Sequence, residues 1–162
     1  QLINGILISI SIIIFVWYRT LVVKRYGIQS SYSYSYLLFP QSQQSYYSLF
    51  MWGISVPIMI VSNCLIGFLA GAVLCFDGSA RTGSGDKVTQ FIHNWSARVG
   101  IGLGMLLLVS FNWLNLIPVG LYVIFTAIAM KHSYFKNATW WVEEVAFVII
   151  MIGLIIEKVI LL

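Results

Sequence analysis

Charge is what this sequence most lacks. Only 9% of its 162 residues are Asp, Glu, Lys or Arg, against about 25% in an ordinary soluble domain. A chain so poor in charge cannot cover a globule with polar surface, which excludes a soluble enzyme and a disordered segment alike. Cysteine is nearly absent as well. Cys64 and Cys75 both fall in an apolar run, where a thiol acts as a small hydrophobe, so neither a disulfide scaffold nor a redox compartment can be read from them. No cluster of Lys or Arg offers a nucleic-acid patch, because the net charge of +4 is scattered along the chain. His93 and His132 stand far apart with no Cys or carboxylate at ligand spacing, so no metal and no cofactor is expected.

What is present is hydrophobic: 60% of the residues, with a mean hydropathy of +0.92. Lipid must be most of this chain's solvent, and in lipid a backbone satisfies itself as helix. The expectation is an all-α membrane protein of about four hydrophobic helices, forming one transmembrane domain over 1–162.

Charge-free stretches locate the spans. Leu2–Tyr18 reads as the first, ending in Trp17 and Tyr18 at the interface before Arg19, Lys24 and Arg25. Residues 19–48 form a Ser/Tyr-rich interfacial segment, expected to lie at the headgroups and interrupted at Pro40. Leu49–Phe76 is long enough for one tilted crossing, with Asn63 near its middle. Residues 77–86 read as a polar Gly/Ser loop, and from Asp86 a helix can run into the next apolar stretch. That stretch, 99–130, is free of charge but too long for one upright span and short for two: it lies steeply tilted or breaks near Asn112–Pro118 into a re-entrant pair, and one long tilted or bent helix is expected. A C-terminal helix over 140–162 completes the set. With four crossings, Arg19, Lys24, Arg25, Lys131 and Lys136 share one side, and Arg81, Lys87 and Lys158 the other.

Ionisable groups inside apolar runs are expensive, and each is a functional candidate. Arg98 stands where polar approach becomes apolar span. On a continuous helix Lys87, Asn94, Gly102, Met105 and Asn112 fall within about 40° of it, giving one polar stripe. An interfacial Arg that snorkels to phosphate is the plainer alternative. Gly100, Gly102 and Gly104 follow at once and point to close approach by another helix. Glu143 and Glu144 open the last helix behind Thr139, beside Trp140 and Trp141; helix-dipole capping and membrane burial both fit them.

Three stretches together resemble subunit a of rotary F-type ATP synthases, in a divergent, shortened mitochondrial form. Ile60-Val-Ser-Asn63-Cys-Leu-Ile-Gly67 is similar to the family's "ISNLLGLLP" helix. Phe91-Ile-His-Asn-Trp-Ser-Ala-Arg98 with Gly104-Met-Leu-Leu-Leu is similar to "IRPxSLxxRLxxNxxAGHLLL". Val142-Glu143-Glu144-Val-Ala146 is similar to "LExAxAxIQAYVF". Gly102, Met105 and Ile150 or Met151 stand where the family has Asn, His and Gln. A shorter likeness, Ala138–Phe147, is to cytochrome c oxidase subunit III.

The first resemblance implies a proton-conducting subunit, not catalytic alone, of an ATP synthase in the mitochondrial or bacterial inner membrane. Its partners would be a c-ring, other membrane subunits and lipid. Arg98 would separate two half-channels; Glu143 or Glu144 would relay protons; Asn63, His93 and Asp86 would line the path. The competing expectation is a structural subunit of a respiratory complex, in which Arg98 snorkels, the Glu pair caps a helix and the Ser/Tyr segment packs on partners.

Overall fold

A computed structural model describes residues 1–80, 86–131 and 136–161. Among them the regular structure is helical, with no strand: α1 Leu2–Tyr26, α2 Ser35–Leu38, α3 Ser45–Ser62, α4 Leu65–Ser79, α5 Lys87–Phe111, α6 Leu116–Lys131 and α7 Ala138–Ile155. Short 3-10 turns occupy Gln41–Gln43 and Trp113–Asn115, and a π turn, Ile156–Ile160, extends α7. Five helical stretches are long and apolar enough to cross a membrane, and α4 is a shorter apolar helix. The chain is an all-α, multi-pass membrane protein.

The six longer helices alternate in direction. The C-terminal part of α1 meets the start of α7 through Arg19 and Glu144; α3 starts where α4 ends, with Ser48 Oγ donating to Gly78 O at 2.6 Å. At the opposite end Gln1 and Leu2 lie beside Val159. One end, called the polar end here, therefore gathers the C-termini of α1, α4 and α6 and the N-termini of α3, α5 and α7. Lys24, Arg25, Lys87, Lys131 and Lys136 all belong to it, and Lys158 alone among the described Lys and Arg lies at the far end. The four-crossing arrangement had put Lys87 on the other side. The even number of helices between Arg25 and Lys87 returns it.

Two apolar runs each fold as two helices rather than one. In 49–76 the break is Asn63, left-handed at φ 49, followed by extended Cys64. Asn tolerates that conformation better than any neighbour in the run, and the reversal lets α3 and α4 pack along their length. Gly78 makes this possible near the polar end, where a Cβ would sit 2.6 Å from that of Met51. In 99–130 the bend is a full break: Asn112 and Asn115 cap the gap. Asn112 Oδ1 accepts from Leu114 N–H, and Asn115 Nδ2 donates to Leu108 O at 2.8 Å and to Glu157 Oε1 at 3.2 Å. The first of these helices also begins far before residue 99, at Lys87, because a charged residue inside a span does not end a helix.

Pro57 lies inside α3 and offers no N–H to the carbonyl of Gly53. Ser11 of α1 takes over, its hydroxyl donating to Gly53 O at 3.0 Å. In hydrocarbon such a rescue is required rather than optional.

The core lies toward the polar end. Trp140, Tyr32, Phe50 and Tyr18 form a continuous stack with centroid separations of 3.9, 5.4 and 4.4 Å. Tyr32 comes from the Ser/Tyr segment, which does not lie flat on the headgroups. It turns inward and buries Tyr32, Phe39 and Tyr47, held by Trp140 N–H to Ser30 O at 3.1 Å and Asn137 Nδ2 to Ile28 O at 2.8 Å. By contrast α6 buries only Ala129.

A buried ionisable cluster beside an Arg98 cavity

Four polar side chains from four helices converge beneath the polar end. Tyr47, in the first turn of α3, donates its hydroxyl to Asp77 Oδ2 at 2.6 Å. Asp77, near the end of α4, also lies 2.8 Å from His93 Nδ1 through Oδ1, while that nitrogen is 3.4 Å from the Asp77 carbonyl. Asp77 and His93 are 2% and 5% exposed. At such depth a lone carboxylate would be prohibitive, and the pair is what makes it tolerable. The fourth group, Glu143 of α7, accepts the Tyr32 backbone N–H at 2.7 Å.

Glu144 faces elsewhere. It accepts from Arg19 Nε at 2.6 Å and from Trp140 Nε1 at 2.9 Å, tying α1 to α7 and fixing the outermost ring of the aromatic stack. The Tyr32 hydroxyl is buried beside this pair without a well-aligned hydrogen bond. Burial pushes that phenol well above its ordinary range, so it stays neutral.

Arg98 opens onto a cavity of about 520 Å³ between α5, α6 and α7. Asn94, Gly102 and Met105 share its α5 wall, Tyr122 and Thr126 stand on α6, and His93 and Glu143 close it toward the cluster. The polar stripe expected around Arg98 is thus partly a cavity wall. Gly102 has open space where a Cβ would be, whereas a Cβ on Gly100 would meet Leu74, and one on Gly104 would meet Ile150, each at 2.6 Å. Two of the three glycines serve packing within the chain. Arg98 makes no hydrogen bond or ion pair with another described residue, and it is exposed. It sits 11 residues into α5, about 16 Å along the axis from Lys87.

Of the residues singled out from sequence, the structure brings together His93, Glu143 and Arg98. Glu144 is near but committed to Arg19. Asn63 is not near: it forms the exposed turn at the far end, because its backbone is the helix break itself. Asp86 is not near either. It caps α5, accepting from Val88 N–H at 3.3 Å, Thr89 N–H at 2.9 Å and Thr89 Oγ1 at 2.6 Å, and those bonds hold its carboxyl below the usual carboxylate range. The cap of α7 is Asn137 rather than Thr139. His132 and residues 81–85 of the Gly/Ser loop lie outside the described residues, and Asp77–Ser79, read as part of that loop, belong to α4.

Asp77 and Tyr47 were missed. An acid directly after an apolar run reads as the first residue of a loop, and a Tyr in a Ser/Tyr repeat as interfacial. The available signal was Gly78, whose close approach to α3 carries the helix past Asp77 and draws it inward.

Comparison with protein-family models, with curated proteins and with solved structures returns no match.

Proposed function

We propose that this chain is a proton-conducting membrane subunit of a rotary ATP synthase, with the polar-end cluster and the Arg98 cavity as one half-channel. The observation that supports the reading is a series of ionisable groups ordered along the helix axes from the polar end to an arginine with no partner among the described residues. Counting along their helices from the polar end, Asp77 lies about 3 Å in, Glu143 about 8 Å, His93 about 9 Å and Arg98 about 16 Å. Intramembrane acids, histidines and arginines in series mark proton relays. A guanidinium at the end of such a series keeps its charge at any working pH and repels an excess proton, so it stops the path rather than continuing it.

Glu143 is the relay in this reading, since Glu144 is held by Arg19 and Trp140. The partner is a ring of helices bearing carboxylates, which would present the counter-charge that Arg98 lacks among the described residues. The excess of Lys and Arg at the polar end puts that end in the matrix or cytoplasm, and the mitochondrial inner membrane is the setting proposed.

The test is ATP-driven acidification of vesicles carrying the native complex, followed with a pH-sensitive dye. Arg98→Ala is expected to abolish coupled flux without loss of assembly. Arg98→Lys is expected to fail substantially, because an ammonium can release its proton where a guanidinium cannot. Flux that survives Arg98→Ala removes the proposed role and leaves a structural subunit, for which the Arg19–Glu144 tie is the supporting feature.

A further inference from the structure

Three spaces of different size lie in series through the cluster, and their shared walls define a route. A recess at the polar end, about 520 Å³, is lined by Gln41, Gln44, Ser48 and Tyr47. Tyr47 also lines a small void of about 10 Å³, together with Asp77, Ala97 and Glu143. Glu143 and Ala97 in turn line the Arg98 cavity. The void is the narrow point, with room for about one water molecule. Its walls provide the polar partners such a water needs: the Asp77 carboxylate, the Glu143 carboxylate and the edges of Tyr32 and Tyr47. Asp77 lines this space while its Oδ1 stays 2.8 Å from His93 Nδ1, which holds the carboxylate in place beside it.

Resting on the proton-conducting reading, we infer that one water in the void between Asp77 and Glu143 joins the polar-end recess to the Arg98 cavity, making the recess between α3 and α4 the proton access port. One proton moves per passage. Tyr47 passes its hydroxyl proton to Asp77 and regains one from water in the recess. Asp77 gives a proton to the water in the void, which releases one of its own to Glu143. Tyr47, Asp77 and the water end as they began, and Glu143 carries the proton to the Arg98 cavity. His93, held against Asp77, positions that carboxylate. The opening this route assigns to the α3–α4 recess, rather than to the lipid-facing side of the Arg98 cavity, is its distinguishing feature.

The experiment uses the native complex in vesicles, with coupled flux and thermal stability measured for each variant. Ala97→Val adds two methyl groups to the void without touching any ionisable group, and Asp77→Asn and Tyr47→Phe keep the shape of the route while removing its proton carriers. Each is expected to lower flux on the order of a hundredfold, the usual worth of a positioned proton carrier. Ala97→Ser, with one added polar atom, is expected to retain far more flux than Ala97→Val. Difference infrared spectra in H2O and D2O give a readout independent of flux: a water band sensitive to Glu143→Gln is expected, and Ala97→Val should remove it. Should Arg98→Ala abolish flux while Ala97→Val, Asp77→Asn and Tyr47→Phe leave it intact, the route is wrong and the half-channel reading stands. Flux unaffected by Arg98→Ala overturns both.

Discussion

The two ends of this bundle are built on different principles. The polar end holds the aromatic stack, the Arg19–Glu144 tie and the Tyr47–Asp77–His93–Glu143 cluster. The far end is closed by the Asn63 turn, by Asn115 bridging Leu108 and Glu157, and by Lys158 over the Phe111 ring at 4.0 Å. One end spends its polar groups in the interior, and the other only ties loose helix ends. The same asymmetry divides α3 and α4, joined along their length, from α5 and α6, which part around a cavity. Buried polarity and open space occur together, as expected where ions or protons are handled, and dry packing occurs where they are not.

The comparison breaks most readily at the polar end. Trp140→Ala would leave a void beside Tyr32 and is expected to cost about 3–5 kcal/mol, seen as a large fall in the unfolding midpoint of the detergent-solubilised protein. Asp77→Ala should follow at about 3 kcal/mol, because it strands buried His93 and Tyr47 without their acceptor. No measurable loss there would show that the cluster does not contribute to stability.

Paired glycine substitutions sharpen the second contrast. Gly104→Val must push into Ile150 of α7 and is expected to cost about 1–3 kcal/mol. Gly102→Val enters open cavity and should change stability little, so equal losses at both would deny that α5 faces packing on one side and space on the other. The smallest expected effect is at Asp86. Its depressed carboxyl stabilises the start of α5 above the unfolded value of 3.8, and that contribution is lost as pH falls through the lower folded value. Hydrogen exchange at Val88 and Thr89 should therefore quicken below about pH 4, and Asp86→Asn should flatten the dependence.

Much of this contrast was legible in the sequence, though not evenly. The scarcity of charge dictates helices in lipid, and Arg98 and Glu143 stand out as costly residues beside apolar runs, whereas His93, in a polar stretch, was a candidate only through the family resemblance. The break at Asn63 did not stand out, since an uncharged residue interrupts hydropathy only weakly, and the break near Asn112–Pro118 was one of two readings of its run, set aside for a single tilted or bent helix. A reading that takes charge as the boundary of a span merges helices there, whereas the start of α5 was legible, since a helix from Asp86 into the apolar stretch matches Lys87–Phe111. Asp77 and Tyr47 were hidden for a related reason: each lies at the edge of an apolar run, and only the inward fold of the Ser/Tyr segment decides that they face the core. Asp86 shows the converse, an acid at the mouth of a span that does no more than begin a helix.

The α3–α4 hairpin has one more consequence. With 15 residues, α4 reaches about 22 Å from its polar-end terminus, short of a hydrocarbon layer of about 30 Å. Where the Asn63–Cys64 turn meets lipid, a hydrophobic length short of the layer by about a quarter is accommodated by local thinning of the bilayer. Voltage falls across the insulator alone, so the electric field steepens wherever that layer is thin. Moving one elementary charge through 100 mV yields about 2.3 kcal/mol whatever the thickness, but beside this hairpin the same work is compressed into a shorter path.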